Sequence, residues 1–188
     1  MTLDELRINA STCELCNLCK GRKLPIFDKG NSLAKIMLCG MVPAEEENKI
    51  GLPFVGRAGK LLDQILEDAS LTLSDVYITN LVKCFLAAGK SLNQEWIDAC
   101  LSYLLIQIDI IQPMVIITLG KDATIALLGL EQKLTMGKIK QTQIYSYGEI
   151  IKVIPTYHPS YLLRGGGKGH KDYNKVVEDF KKSKLIRG

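Results

Sequence analysis

The apolar and polar positions alternate between helix-like and strand-like stretches along the whole chain. An opening helical pattern carried by Leu3, Leu6 and Ile8 runs into a cysteine-rich turn from Cys13 to Cys19. Gly21 to Leu33 is polar with turn residues, and Lys35 to Cys39 then reads as a first buried strand, a short apolar run bounded by turn signals. Leu61, Leu62, Ile65, Leu66 and Ala69 recur at helical spacing, and Val76 to Val82 makes a second strand. Glu95 to Ile111 is helical, Met114 to Leu119 is a third strand and Asp122 to Leu128 a helix. Ile150 to Pro155 forms a fourth strand after a weaker region around Ile144 to Tyr147, and Tyr173 to Leu185 closes with a helix. Strands alternating with helices predict βαβ units. The expected fold class is α/β, a three-layer α/β/α sandwich around a central four-stranded, mainly parallel sheet, with residues 1–188 forming a single domain.

Composition narrows this picture only modestly. A chain of 188 residues, 47% of them apolar, can bury one sizeable core and lies in the single-domain range of about 100 to 200 residues. A net charge of +4 permits a polyanionic partner without requiring one. No apolar run approaches the roughly 20 residues that span a bilayer, and the N-terminus lacks a basic-then-apolar leader. The chain is therefore expected to be soluble and cytoplasmic. Six cysteines in such a compartment argue for metal ligation or redox work ahead of structural disulfides.

Ligands collect outside the carboxyl ends of parallel strands, so three such ends carry the candidate chemistry. After the first strand comes the loop from Gly40 to Gly59, where Gly and Pro allow close backbone approach, Glu45, Glu46 and Glu47 form an acidic triplet, and Phe54 offers a flat face. After the second comes Asn80, whose carboxamide both donates and accepts, as reading a nucleobase edge requires; a turn-closing Asn is the plainer alternative. After the fourth comes His158, suited to stabilising negative charge or shuttling a proton, or else a hydrogen-bonded structural residue beside Pro159. Cys13-x-x-Cys16 is half of a metal site, or else a redox pair or merely exposed thiols, and Cys84 and Cys100 supply two further thiolates. Four cysteines suit structural zinc or a four-iron four-sulfur cluster, and spacing does not choose between them. Cys39 is expected to be a buried small hydrophobe, and Cys19 a free thiol or competing ligand.

Taken together, Cys13-x-x-Cys16 with Gly21-Arg22, the Gly40 to Gly59 loop, Tyr77 to Cys84, Cys100 and His158-Pro159-Ser160-Tyr161-Leu162-Leu163-Arg164 resemble the family 4 uracil-DNA glycosylases. The resemblance implies a four-stranded parallel sheet flanked by helices, a 4Fe-4S cluster, and hydrolysis of the N-glycosidic bond of deoxyuridine in single- or double-stranded DNA. It also implies that Cys13, Cys16, Cys84 and Cys100 are the cluster ligands, that Phe54 stacks on uracil, that Asn80 reads its edge, and that His158 faces its oxygen. Gly40, Met41 and Val42 fall in the base-binding loop. Ser160, Leu162, Leu163, Arg164 and Lys168 fall in a DNA-facing loop whose leucines wedge into the gap left by a flipped base and whose cations, with Lys171, meet phosphates. A monomer acting on DNA is expected.

The departures from that family are local. Its usual Gly-Glu-small-Pro-Gly is here Gly40-Met41-Val42-Pro43-Ala44, which loses a carboxylate at Met41, adds bulk at Val42 and places a methyl where a positive φ or a wider pocket can be needed. Phe85 follows Cys84 in place of the usual arginine, and Leu86 to Leu92 replaces a proline-rich connection. Val42 stands where another branch of the superfamily has a water-activating aspartate, which leaves Glu47 as the acidic candidate for positioning water, or a solvated surface acid. The expected function is a glycosylase with slowed or shifted activity. The alternative is a divergent member with altered base specificity or a non-cleaving module that binds DNA or a modified base.

Overall fold

The computed structural model of the protein describes residues 1–87, 89–130, 134–136, 142–146 and 148–186. Its elements, in chain order, are α1 (Leu3–Ser11), β1 (Lys29–Gly30), β2 (Ile36–Gly40), α2 (Glu45–Ile50), α3 (Arg57–Asp68), β3 (Val76–Asn80), α4 (Gln94–Ile111), β4 (Val115–Leu119), α5 (Lys121–Leu128), β5 (Thr142–Ser146), β6 (Glu149–Thr156), α6 (Pro159–Arg164) and α7 (Tyr173–Ile186). The strands form one six-stranded sheet in the order β1-β3-β2-β4-β6-β5. β3, β2, β4 and β6 run parallel, as the four predicted strands require. The four-strand count is corrected to six by an antiparallel strand at each edge. β1 has two residues, too few to carry a period, and β5 alternates half-buried with exposed positions, as expected of an edge strand. Tyr147, at the end of the weak region that becomes β5, lies outside the described residues.

The strand residues split by parity between two cores, which is the physical content of the three layers. Ile36, Leu38, Val76, Ile78, Val115, Ile117 and Ile154 pack with Leu62, Ile65, Leu162, Val176 and Phe180 of α3, α6 and α7 on one face. Met37, Cys39, Tyr77, Ile116 and Val153 pack with Leu6, Leu104, Ile108 and Leu127 of α1, α4 and α5 on the other. Within α1 the apolar pattern is corrected in one place. Leu3, Leu6 and Ala10 turn inward while Ile8 faces solvent.

Two short helices were not legible as periodic stretches, and both lie at the carboxyl end of the sheet. α2 is only six residues long, and its first turn holds Glu45, Glu46 and Glu47. The acidic triplet therefore sits where a helix N-terminus favours negative charge. α6 begins at Pro159, whose fixed φ suits a first helical position, with His158 as its N-cap.

Candidate active site

The ends of β2 and β3 place Gly40 and Asn80 side by side in the parallel register. A Cβ built on Gly40 would lie 2.2 Å from Asn80 Oδ1 and 2.6 Å from Phe54 Cζ, so the two side chains meet over a backbone that tolerates nothing larger than hydrogen. Asn80 is held from behind. Its carbonyl accepts from the ammonium of buried Lys83, which also donates to Gln107 and, at 2.9 Å, to Thr79 Oγ1. Burial pushes the Lys83 ammonium down to about 8.

Phe54 arrives from the loop between α2 and α3 in a left-handed conformation, φ 52°, unusual for a bulky residue. Its ring lies 5.9 Å from that of His158, tilted by 33°. His158 Nδ1 accepts from the Ser160 N–H at 3.0 Å and lies 2.8 Å from Ser160 Oγ. An Nδ1 committed as acceptor leaves the proton of the neutral ring on Nε2. Burial pushes this imidazole down to about 4, helped by Arg164 and opposed by Glu47, so the ring is neutral near pH 7.

Glu47 is buried, and the solvated-surface alternative for it falls away. Its Oε1 accepts from Val55 N and Gly56 N, both at 3.0 Å, and its Oε2 from Ala44 N at 3.1 Å. The carboxylate closes the 51–56 loop onto the start of α2. Ala44 has φ −98° and is exposed, so its methyl neither violates a positive φ nor narrows the pocket, correcting that expectation.

Met41 and Val42 are half-buried and form a wall shared by two cavities. One, of about 470 Å³, is bordered by His158, Ser160, Tyr161, Arg164 and Lys121. The other, of about 860 Å³, runs between Leu86, Leu92, Ile97 and Ile125. Ala88, inside the altered 86–92 connection, lies outside the described residues.

The cysteines gather at the other side of β3. Cys84 Sγ accepts from Arg22 Nη1 at 3.0 Å, and Arg22 also donates to the Cys13 carbonyl at 2.8 Å. Cys100 Sγ accepts from the Lys83 N–H at 3.4 Å. Burial pushes the Cys84 thiol up to about 11, with Cys100 and Cys16 adding to the rise, and raises Cys100, where Cys16 and Cys13 contribute. The four side chains thus share one electrostatic neighbourhood, although no group of three or more metal-binding side chains is drawn to ligating geometry among the described residues. Cys39 is fully buried, as an apolar strand position demands, while Cys19 is half-buried in the turn after Cys16.

Comparison with known proteins decides the family. The model of the uracil DNA glycosylase superfamily matches residues 27–181. The chain belongs to that superfamily. It is 40% identical over 172 residues to the Type-4 uracil-DNA glycosylase of Thermotoga maritima, covering 92% of this chain and 88% of the relative. It is 40% identical over 189 residues to that of Saccharolobus solfataricus, covering 97% and 85%. The Archaeoglobus fulgidus Type-4 uracil-DNA glycosylase is 34% identical over 166 residues, covering 86% and 83%.

In this uracil-DNA glycosylase superfamily member the segment after His158 departs from the loop that its glycines suggested. Leu162 is fully buried against α3 and α7 and cannot wedge into DNA, because the α6 turn points it into the core. Leu163 is half-buried and Arg164 exposed. Lys168 is exposed but tied to Asp68 at 3.0 Å. Sequence reasoning missed what the supporting cations do. Arg22 and Lys83 stand inside the motifs that carry the resemblance, but their bonds to Cys84 and Asn80 are not legible there, and Lys29 carries no local signal.

Proposed function

We propose that this chain is a Type-4 uracil-DNA glycosylase that hydrolyses the N-glycosidic bond of deoxyuridine in DNA, leaving an abasic site for base-excision repair. The observation that carries the reading is His158 beside Phe54, its Nδ1 turned to the Ser160 N–H so that Nε2 is left for substrate, with Phe54 and Asn80 closing over Gly40. Extruding a base costs a few kcal/mol. Stacking on Phe54 offsets about 1–3 kcal/mol of this, and the Asn80 carboxamide supplies edge hydrogen bonds that separate uracil from cytosine. As the bond breaks, the sugar becomes cation-like and the leaving uracil anionic. The His158 Nε2–H stabilises that anion without transferring a full charge, because it is neutral and already oriented by Ser160. Both Glu47 oxygens are engaged by backbone donors, so we assign Glu47 the building of the pocket ahead of proton abstraction. With Val42 unable to act as a base, the substrate's own phosphates carry more of the stabilisation of the sugar cation.

Cys13, Cys16, Cys84 and Cys100 are the residues that would hold a 4Fe-4S cluster. Four thiols in one neighbourhood, with N–H donors from Arg22 and Lys83 already on two sulfurs, fit an anionic iron-sulfur group. Holding such a group, Cys13 and Cys16 would tie the N-terminal segment to Cys84 after β3 and Cys100 on α4. DNA is the partner; Ser160 and Arg164 border the cavity beside His158, and we assign them, with the exposed Lys168 and Lys171 that follow, to phosphate contact. A monomer is the form we propose to act. We assign it to the cytoplasm, alongside the DNA it repairs; no described helix is long and apolar enough to cross a membrane.

The test is release of base from oligonucleotides bearing one uracil, hypoxanthine or hydroxymethyluracil. Release of uracil that disappears in Asn80→Ala and His158→Ala is expected. Binding without release of any base would overturn the reading. Met41 and Val42 border the cavity beside His158, so release of another base in preference to uracil would locate the altered specificity there. Visible absorbance lost in Cys84→Ser reports the cluster.

A further inference from the structure

The left-handed conformation of Phe54 must be held by something, since a residue with a Cβ does not favour it. The peptide joining residues 54 and 55 is gripped at both ends. Its N–H, on Val55, donates to Glu47 Oε1 at 3.0 Å, and its carbonyl, on Phe54, accepts from Lys29 Nζ at 2.8 Å. The same carbonyl is pressed by the first turn of α3, where a Cβ on Gly59 would lie 1.9 Å from Phe54 O. Lys29 reaches it because β1, although two residues long, pairs with β3 in the register Lys29↔Ile78 and so lies at the edge of the sheet nearest the base-reading strand.

We propose that Lys29 is a positioning residue of the base pocket, its ammonium fixing the Phe54 carbonyl so that the ring is presented to the flipped base. The assignment rests on the glycosylase reading above. The bond is charge-assisted and half-buried, and therefore stronger than a neutral or fully solvated one. Burial lowers the ammonium's affinity for the proton, and Asp63 on α3 and Glu47 on α2, which face it, offset part of that. Lys29 belongs to neither apolar core, so its removal leaves the sheet packing intact. What it removes is the anchor for one end of the 54–55 peptide, which frees Phe54 to relax toward the extended region and carry its ring away from Gly40 and Asn80.

The test separates the base pocket from the DNA surface. Lys29→Met is expected to weaken inhibition by free uracil by about tenfold or more, the scale of a lost hydrogen bond to a charged group. Its affinity for DNA carrying an abasic site, which contains no base to stack, is expected to match wild type. Lys29→Arg, which keeps a charged donor, is expected to recover most of the uracil affinity. Where Lys29→Met does not fold, Lys29→Gln, too short to reach the carbonyl, supplies the same comparison. Unchanged uracil inhibition in the shortened or uncharged variant, in a wild type that releases uracil, overturns the Lys29 assignment alone. Equal losses for uracil and for abasic DNA, or no recovery in Lys29→Arg, overturn it as well. A wild type that releases no uracil overturns the functional reading first.

Discussion

Replacing Glu47 by glutamine decides whether this carboxylate builds the pocket or activates water. In the native site it accepts three backbone N–H bonds, from Ala44, Val55 and Gly56 at 3.1, 3.0 and 3.0 Å. Glutamine can offer its carbonyl oxygen to the Val55–Gly56 pair, but its amide then meets the Ala44 N–H donor to donor. One bond is lost and two change from charged to neutral acceptors. At roughly 1.5–3 kcal/mol for a hydrogen bond to a charged group and about 1 for a neutral one, the expected cost is about 2.5–7 kcal/mol. Loss of a negative charge from the first turn of α2 adds about 0.3–1 kcal/mol. For a chain of this size, each kcal/mol lowers the melting temperature by about 2–4 °C, so Glu47→Gln should melt about 5 °C or more below wild type. Uracil inhibition should weaken with it, because the loop that carries Phe54 loosens. Thermal melting followed by circular dichroism, beside uracil inhibition of base release, measures both. A Glu47→Gln protein with wild-type melting and wild-type uracil affinity, but kcat reduced by about a hundredfold or more, would refute the clasp and return Glu47 to the role of base.

The remaining outcomes concern His158, Gly40 and the two leucines of α6. For His158, kcat/KM should stay level from pH 8 to about 5 and fall toward pH 4, because protonating Nδ1 sets two donors, its own and the Ser160 N–H, against each other; a limb centred near the ordinary value of about 6.5 would contradict this. The sign for stability follows from the same depression: the unfolded chain takes up the proton first, so the contribution is complete above about pH 6.5 and is lost as pH falls toward about 4, readable in urea midpoints across that window. Gly40→Ala should fold at a cost of about 1–3 kcal/mol yet lose uracil inhibition while still binding abasic DNA, since its methyl would occupy the space of Asn80 Oδ1 and the Phe54 ring. Leu162→Ala should cost about 2–5 kcal/mol in a denaturant melt, as a fully buried core leucine, whereas Leu163→Ala should leave stability within about 1 kcal/mol and reduce release from double-stranded more than from single-stranded DNA.

The parallel strands were readable because each is an apolar run that must be covered on both faces, and the observed β2, β3, β4 and β6 lie within a few residues of the predicted spans. α3, α4, α5 and α7 were readable because their apolar stripes recur at helical spacing; Gly56, as N-cap, starts α3 four residues earlier than the stripe suggested. α2 and α6 were not, since six residues make less than two turns and leave no period to detect. The edge strands were faint for a related reason: β1 is two residues long, and β5, with one face half-buried and the other exposed, has little apolar pattern.

By itself the sequence determined which residue types stand at the carboxyl ends of the strands, and hence that Gly40, Asn80 and His158 share one end of the sheet. Only the tertiary structure decided what each does to its neighbours. It turned Glu47 inward onto three N–H groups, sent Leu162 into the core, put the His158 proton on Nε2, and brought Lys29 across from the sheet edge to the Phe54 carbonyl. Periodicity records which face of an element is dry. Hydrogen-bond partners 25 residues apart, as Lys29 and Phe54 are, depend on backbone directions that no local pattern encodes.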